Sequence, residues 1–317
     1  MIKKYYITGN TAQGFVDLFS SNLHGVNQTL TLDYPSYKLN TAILQSIIQE
    51  YKECTPLEIM KSSICSKYLE GVILREKGVA IIIDGKNRFS FTNLAYEHFA
   101  EGLRIHDELE QVFIQEMDFK KANQAAEGLI EKLLANTPRE DRQAHTFHRF
   151  FGTNTMDGIV NEVPQLTERL DRVYHVKGRA GTGKSTFMKK IANACLTHGL
   201  DVELYHCSFD SNSIDMVLVP RLNICLFDST DPHEFEPKDA RREEIIDLYK
   251  IAVTPGTDEK YQEKISQLNH SYKSFMKKGL QVINEEGEAF VKKEAAKNIS
   301  EAELKKAVDN IHLKLNN

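Results

Sequence analysis

Runs of apolar residues alternate with an amphipathic stretch in the second half of the chain. Three apolar runs predict strands at 172–177, 201–208 and 223–228. The stretch 184–197 carries apolar residues at helical spacing and is closed by a His-Gly pair, so it predicts a helix between the first two strands. Alternating strands and helices are typical of a parallel α/β sheet.

The first half of the chain repeats this pattern at a fixed spacing. "YYITGNTAQG" and "RFFGTNTMDG" both place an aromatic pair before Asn-Thr-x-x-Gly, and their asparagines, Asn10 and Asn154, lie 144 residues apart (154 − 10). At the same offset the apolar run "GVAIIIDG" faces "LNICLFDS", which places Asp84 opposite Asp228 without a gap. We therefore predict an internal duplication.

Both copies end in long, charged segments with apolar residues at helical spacing, near 95–134 and 260–315. Their related stretches "GLRIHDELE" and "GLQVINEEG" lie 177 residues apart (279 − 102), so the second copy holds about 33 additional residues (177 − 144). These features predict a first domain at 1–134, a polar linker at 135–144 and a second domain at 145–317, each domain with a helical tail.

The stretch "GRAGTGKS" follows the first strand of the second copy and fits the pattern G-x-x-x-x-G-K-[ST]. Its glycines let successive N–H groups point into one concavity, which favours phosphate together with the helix N-terminus behind it. The predicted nucleotide-binding residues are Gly178, Arg179, Ala180, Gly181, Thr182, Gly183, Lys184, Ser185 and Thr186. Lys184 is expected to reach the β- and γ-phosphates, and the Ser185 hydroxyl is expected to ligate Mg²⁺. The pattern predicts ATP and Mg²⁺ as cofactors.

Asp228 ends the apolar run 223–228, where a strand of the sheet would place it beside the phosphate loop. A carboxylate there can hold Mg²⁺, so we predict Asp228 as a metal-binding and catalytic residue. Many P-loop enzymes that hydrolyse ATP carry Glu at the next position, and this chain carries Ser229. Asp231 and His233 are further catalytic candidates, since either side chain can position water, metal or a phosphate acceptor.

Two other polar pairs have open roles. Asp210 and Asp215 follow the second strand, where they are candidates for an acceptor site or a general base, or for turn and cap residues. Arg241 and Arg242 are candidates for stabilising phosphate charge, or for the solvated start of a helix.

The loop of the first copy, "DYPSYKLNT", departs from the phosphate-binding pattern. Asn40 stands where the second copy has its lysine, and Leu39 stands where it has its last glycine. Thr41 keeps the hydroxyl, and by the alignment above Asp84 keeps the strand-end carboxylate. We therefore predict a degenerate first copy that does not bind ATP in the usual way.

Composition limits the partners. The formal net charge is −5, which makes a nucleic-acid or membrane-surface protein unlikely because both usually need a basic surface. The sequence has no apolar run of spanning length and no signal peptide at its start, and its five cysteines form no C-x-x-C pair. We expect a cytoplasmic protein that does not bind membranes.

The segments "GTNTMDGIVNE", "VKGRAGTGKSTFMKKIA" and "GLDVELYHCSFDSNSIDMVLVPRLNICLFDSTDPHEFEPK" resemble a poorly characterised bacterial family of tandem P-loop proteins. The family is common in spore-forming Gram-positive lineages, and its members are usually labelled ATPases or nucleotide kinases. The resemblance covers nearly the whole chain. It implies tandem RecA- or kinase-like α/β domains that bind ATP and Mg²⁺, and it implies no substrate.

Three functions follow from these features. The first is a Mg²⁺-ATP-binding NTPase with one competent site in the second copy and slow hydrolysis, since Ser229 replaces the expected Glu. The second is a kinase that transfers phosphate to an unknown small-molecule acceptor. The third is a non-enzymatic ATP-dependent switch whose helical tails dock a protein partner.

Overall fold

The structure is a computed structural model that describes residues 2–232 and 234–315. Among the described residues, the first repeat contains seven strands and three α-helices. Its elements are β1 Ile2–Tyr6, β2 Thr8–Thr11, β3 Gly14–Asp17, β4 Gln28–Leu32, α1 Tyr37–Tyr51, β5 Leu57–Lys61, β6 Leu69–Leu74, β7 Val79–Ile83, α2 Asn93–Ile114 and α3 Phe119–Leu134.

The second repeat follows the same order of elements, with additional elements inserted between its last central strand and its tail helices. Its elements are β8 Thr146–Arg149, β9 Gly152–Thr155, β10 Gly158–Asn161, α4 Val163–Thr167, β11 Arg172–Lys177, α5 Lys184–Thr197, β12 Val202–His206, β13 Ile214–Val219, β14 Ile224–Asp228, β15 Glu243–Asp247, α6 Leu248–Ala252, α7 Thr257–Lys260, α8 Gln262–Ala295 and α9 Glu301–Leu315. The additional residues of this repeat form β15, α6, α7 and the start of α8.

Each repeat builds one main sheet, and the two sheets have the same strand order. The first runs β1-β5-β6-β7-β4, and the second runs β8-β12-β13-β14-β11 with β15 added beyond β11. The structure is a mixed α/β fold, and the equal strand order of the two sheets agrees with the predicted duplication.

The sheets are mixed, and the prediction of a purely parallel sheet is wrong. β13 is antiparallel to both β12 and β14, and β6 is antiparallel to β5 and β7. The apolar runs predicted no strand between 208 and 223, where β13 lies. The turn between β13 and β14 spans only 220–223, and so short a connection joins antiparallel neighbours, whereas parallel strands need a crossover of a dozen residues or more.

The ends of the central strands also correct the predicted alignment. The N–H of Asp84 donates to the carbonyl of the last residue of β4 at 3.0 Å, and the N–H of Ser229 donates to the corresponding carbonyl of β11 at 3.0 Å. Asp84 therefore corresponds to Ser229, and Ile83 corresponds to Asp228. The pairing of Asp84 with Asp228 is wrong by one residue, because the chain from Val176 to the start of β12 (202 − 176 = 26) is one residue longer than the chain from Leu32 to the start of β5 (57 − 32 = 25).

The repeated Asn-Thr motifs form the contact between the two repeats. Asn10 Nδ2 donates to Asn154 O at 2.7 Å, and Asn154 Nδ2 donates to Asn10 O at 2.8 Å. The backbones of Tyr6 and Phe150 exchange hydrogen bonds of 2.9 and 2.8 Å in the same reciprocal way. Residues related by the duplication thus contact one another about a pseudo-twofold axis.

The helical tails pack on the opposite repeats. Ala126 and Leu129 of α3 are buried in the apolar cluster that covers α5, and Ala307 and Ile311 of α9 are buried in the cluster that covers α1. The boundaries at 134 and 145 remain a prediction, and the tails join the two repeats into one assembly.

The tail helices α2 and α8 cross at a pair of glycines. The space beside Gly102 is filled by Phe275, and a Cβ added to Gly279 would overlap the ring of Phe99. The two glycines are related by the 177-residue offset, so the crossing is part of the pseudo-symmetry. Within the described ranges, no helix combines the length and apolarity required to cross a bilayer.

A buried charge cluster lies where the two sheets meet. Arg149 is 1% exposed and its guanidinium lies 2.9 Å from Glu58 Oε2, 3.0 Å from Glu203 Oε2 and 4.0 Å from the centre of the Tyr5 ring. Burial would raise the pKa of Glu58, but Arg149, together with Arg75 and Lys3, lowers it to about 2. Both carboxylates therefore stay charged; Arg149 is the cation that they share, while Glu58 also pairs with Arg75 and Glu203 with Lys3.

Candidate functional site

The glycine loop, residues 178–183, connects β11 to α5. β11 and β14 are parallel neighbours, and their register places Val176 opposite Asp228 at the carboxyl edge of the sheet. Lys184 Nζ donates to Gly178 O at 3.0 Å and to Arg179 O at 2.9 Å, and it lies 3.6 Å from Asp228 Oδ2. The structure brings together the lysine and the carboxylate that the sequence predicted as partners.

The end of the glycine loop leaves the N-terminus of α5 without a cap from any described side chain. Thr182 Oγ1 donates to Arg179 O at 2.8 Å and tightens the loop, and a Cβ added to Gly178 would overlap that hydroxyl. Gly183 is the N-cap of α5, and none of the described side chains caps this helix end. The first N–H groups of α5 therefore have no side-chain acceptor, and they point to where the helix dipole attracts a negative charge.

Ser185 and two carboxylates are the candidate oxygen ligands at this loop. Ser185 Oγ accepts a hydrogen bond from Ile214 N–H at 2.9 Å, which holds the hydroxyl at the start of β13. The antiparallel register of β13 and β14 brings Asp215 beside Asp228. Burial, reinforced by the negative charge of Asp228, raises the pKa of Asp215 to about 7. The predictions treated Asp215 as an acceptor, base or turn residue and missed its place beside Asp228, because they missed β13.

The oxygen atoms of Ser185, Asp215 and Asp228 fit a magnesium ion that is bound together with phosphate. Mg²⁺ prefers oxygen ligands and usually takes only one or two carboxylates from the protein, with the rest from phosphates and water. Across residues 2–232 and 234–315, no group of three or more His, Cys, Asp or Glu side chains is arranged to hold a metal on its own. Ser185, Asp228 and Asp215 would hold the ion together with phosphate oxygens and water, which complete its ligand shell.

The remaining loop residues have separate contacts. Arg179 pairs with Asp258 of α7 at 2.8 Å. Ala180 packs on the apolar cluster at the end of α2, and Thr186 is exposed on the first turn of α5. These contacts anchor the glycine loop to the helices that surround it.

Several predicted candidates lie away from the loop lysine. Asp231 is 67% exposed and pairs with Lys273 of α8 at 2.6 Å. Ser229 is buried, and its Oγ donates to Phe235 O at 2.6 Å. His233 lies outside the described residues. The structure thus gives Asp231 a surface ion pair and turns the Ser229 side chain into the core.

The two arginines after this segment also lie in other contacts. Arg241 is exposed and pairs with Asp239 at 2.9 Å. Arg242 Nη1 donates to the carbonyls of Thr167 and Leu170 at 2.9 and 2.8 Å. Neither guanidinium reaches the glycine loop in this structure.

Helix α2 of the first repeat supplies side chains that the sequence did not connect to the loop. The Glu110 backbone lies so close to Gly181 that a Cβ added to the glycine would overlap the Glu110 carbonyl oxygen. Burial raises the pKa of Glu110, and the negative charge of Asp107 adds to this effect. Burial and the charge of Lys184 lower the pKa of His106 to about 4. The exchange of tails, which no local pattern signals, places these groups at the loop.

The corresponding loop of the first repeat is occupied by the chain itself. Glu294 of α8 is buried, and its Oε2 accepts from Ser36 Oγ at 3.0 Å and from Lys38 N–H at 3.2 Å at the N-terminus of α1. Thr41 Oγ1 accepts from Leu69 N–H at 3.2 Å, as Ser185 does in the second repeat. This loop therefore holds an internal anion, the Glu294 carboxylate. It has no equivalent of Asp228, because Ile83 lies at that position of the strand.

No protein-family model, curated protein or solved structure matches this chain. The resemblance to tandem P-loop proteins therefore stays a prediction, and the argument for function depends on the site geometry.

Replacing Glu110 by Gln is expected to strengthen the predicted ATP binding about threefold, because the change removes a negative charge next to the loop where the polyphosphate is predicted to bind, an effect of about 0.5–1 kcal/mol. Isothermal calorimetry measures the change. Glu108→Gln is the matched control, since Glu108 is an exposed neighbour on the same helix that pairs with Arg104. Equal affinities in wild type and Glu110→Gln would contradict a contact between α2 and bound phosphate.

Proposed function

We propose that this protein is a Mg²⁺-ATP-binding P-loop NTPase with one competent site, in the second of two tandem P-loop domains. The observation that supports the proposal is the approach of Lys184 Nζ to Asp228 Oδ2, 3.6 Å, at the uncapped N-terminus of α5. A glycine turn with a purely structural role does not require a lysine, a strand-end carboxylate and an uncapped helix N-terminus at the same place.

The residues divide the binding of the nucleotide between them. Lys184 would exchange its carbonyl partners for the β- and γ-phosphate oxygens, and the N–H groups of the glycine loop would bind the same phosphates. Ser185 and Asp228, with Asp215 beside them, would hold Mg²⁺. The ion itself would neutralise phosphate charge. Residue 229 is a serine, and its side chain is buried, so this position offers no carboxylate to orient water. Hydrolysis is therefore expected to be slow.

A kinase is the second candidate, and Asp215 favours it. This carboxylate is buried beside Asp228 and the loop lysine, where a general base for an acceptor hydroxyl would lie. ADP release measured with a set of nucleosides and nucleotides separates the two functions. Stimulation by one acceptor supports phosphate transfer, and a slow rate that no acceptor changes supports the NTPase. ATP binding with no turnover at all would support the non-enzymatic switch.

Lys184→Ala is expected to weaken Mg²⁺-ATP binding about tenfold, since the change removes a charge-assisted bond worth about 1.5 kcal/mol. Isothermal calorimetry measures the affinity. Lys38→Ala is the matched control, because Lys38 is the lysine of the first-repeat loop and its Nζ donates to Lys297 O at 2.9 Å. The proposal fails if Lys184→Ala binds ATP as wild type does, or if Lys38→Ala is the variant that loses binding.

A further inference from the structure

A cavity of about 440 Å³ lies on the face of the second sheet opposite to α5. Its walls come from α4, from β11 and β14, and from the segment 235–243 that follows the strand-end carboxylate. Apolar side chains form much of the lining: Val163, Val173, Phe227 and Phe235. The volume and the mixed lining are within the range of small-molecule sites.

His175 lies in this cavity with one ring nitrogen available. The side chain is 3% exposed, and its Nδ1 lies 3.1 Å from Phe235 O. A carbonyl oxygen only accepts, so the proton of the neutral ring is on Nδ1. Ser229 Oγ, 3.3 Å from Nδ1, does not change this assignment because its own hydrogen is donated to Phe235 O. Nε2 is therefore left as a hydrogen-bond acceptor.

The group that faces Nε2 is another acceptor. Glu243 Oε2 lies 3.4 Å from Nε2, and with the ring proton on Nδ1 neither of these two atoms has a hydrogen to donate to the other. Lys238 N–H donates to Glu243 Oε2 at 2.7 Å, and Arg242 Nη2 lies 3.0 Å from Glu243 Oε1, so the carboxylate is fixed in place. Two buried acceptors that face each other require a donor between them, because an unpaired buried polar atom is costly.

We propose that this cavity binds a small primary amine, whose ammonium group bridges His175 Nε2 and the Glu243 carboxylate. An ammonium has three N–H donors and a positive charge that pairs with the carboxylate, whereas an alcohol hydroxyl has one hydrogen and cannot donate to both acceptors, and a water molecule, which can, brings no charge. The rings of Phe227 and Phe235, 6.1 Å apart and edge to face, line the space where the apolar part of the amine would lie and favour a cation. Burial lowers the pKa of His175, in keeping with a neutral ring.

The site is separate from the glycine loop and does not depend on the proposed function. Tyr174 and Val176 of β11 pack on the α5 side of the sheet, and His175 between them points to the opposite side. An amine bound here would contact the segment that connects Asp228 to β15 without occupying the phosphate site.

Benzylamine and benzyl alcohol, titrated into the full-length protein and followed by nuclear magnetic resonance, test the proposal. Benzylamine is expected to bind at least tenfold more tightly than the alcohol and to shift the ¹⁵N resonance of His175 Nε2. Glu243→Gln is expected to weaken benzylamine binding at least tenfold. Glu236→Gln, which removes a lining carboxylate that pairs with Lys177, is expected to leave it unchanged.

Three results would overturn the proposal: equal binding of amine and alcohol, an unchanged Nε2 resonance, or a His175 ring that carries protons on both nitrogens at neutral pH in the free protein. If Glu243→Gln does not fold, the two measurements on the wild-type His175 ring still decide the question.

Discussion

Arg149→Met is expected to lower the free energy of unfolding by about 3–5 kcal/mol, the cost of removing one partner from a buried ion pair. The guanidinium is 1% exposed and lies between Glu58 and Glu203, which come from equivalent strands of the two sheets. Methionine keeps most of the side-chain volume but leaves two buried carboxylates without their shared cation. Urea unfolding followed by circular dichroism measures the change.

The physical reason is that burial opposes charge on both carboxylates. Burial would raise the pKa of Glu203 and Arg149 lowers it, as for Glu58. Without Arg149, Glu58 keeps Arg75 and Glu203 keeps Lys3, but the two carboxylates lose the cation between them and repel each other across the contact between the repeats. A triple variant that also carries Glu58→Gln and Glu203→Gln is therefore expected to recover part of the lost stability.

Arg104→Met is the matched control for this prediction. Arg104 also contacts two carboxylates, Glu101 at 2.8 Å and Glu108 at 2.5 Å, but its side chain is 59% exposed. Exposed pairs of this kind contribute about 1 kcal/mol or less. A loss of similar size in both variants would mean that burial between the repeats has no special role.

Gly181→Ala is expected to weaken Mg²⁺-ATP binding about thirtyfold, or about 2 kcal/mol. Gly181 has φ +75°, where an L-residue is strained by about 1–2 kcal/mol. The added methyl group would also overlap the Glu110 carbonyl oxygen, so α2 would have to move away from the loop. Both effects displace the N–H groups that we propose to bind phosphate. Isothermal calorimetry gives the affinity, and thermal unfolding gives the accompanying loss of stability.

Gly128→Ala is the control, because Gly128 lies on the exposed face of α3 with no atom within 4 Å of an added Cβ. Alanine there is expected to leave ATP binding unchanged and to stabilise the helix by about 0.5–1 kcal/mol. Wild-type affinity in Gly181→Ala would contradict the role assigned to the glycine loop.

Local patterns predicted the elements that carry the site. The strand at 172–177 and the helix at 184–197 agree with β11 and α5, because an apolar run, a glycine loop and a helical periodicity follow one another without interruption. The alignment failed by one residue at Asp84, since apolar runs that end in Asp match equally well by eye at neighbouring registers. Only the backbone hydrogen bonds of the strands fix that register.

The sequence by itself determined the duplication, the loop with its lysine and hydroxyl, and the loss of that pattern in the first copy. These features depend on residue types at short spacing, which sequence displays directly. The tertiary structure decided that Asp215 lies beside Asp228, that α2 reaches the loop of the other repeat, and that Glu294 occupies the first-repeat loop. Each of these contacts joins segments far apart in the chain. Their approach follows from how strands pair and tails exchange, and no local pattern encodes it.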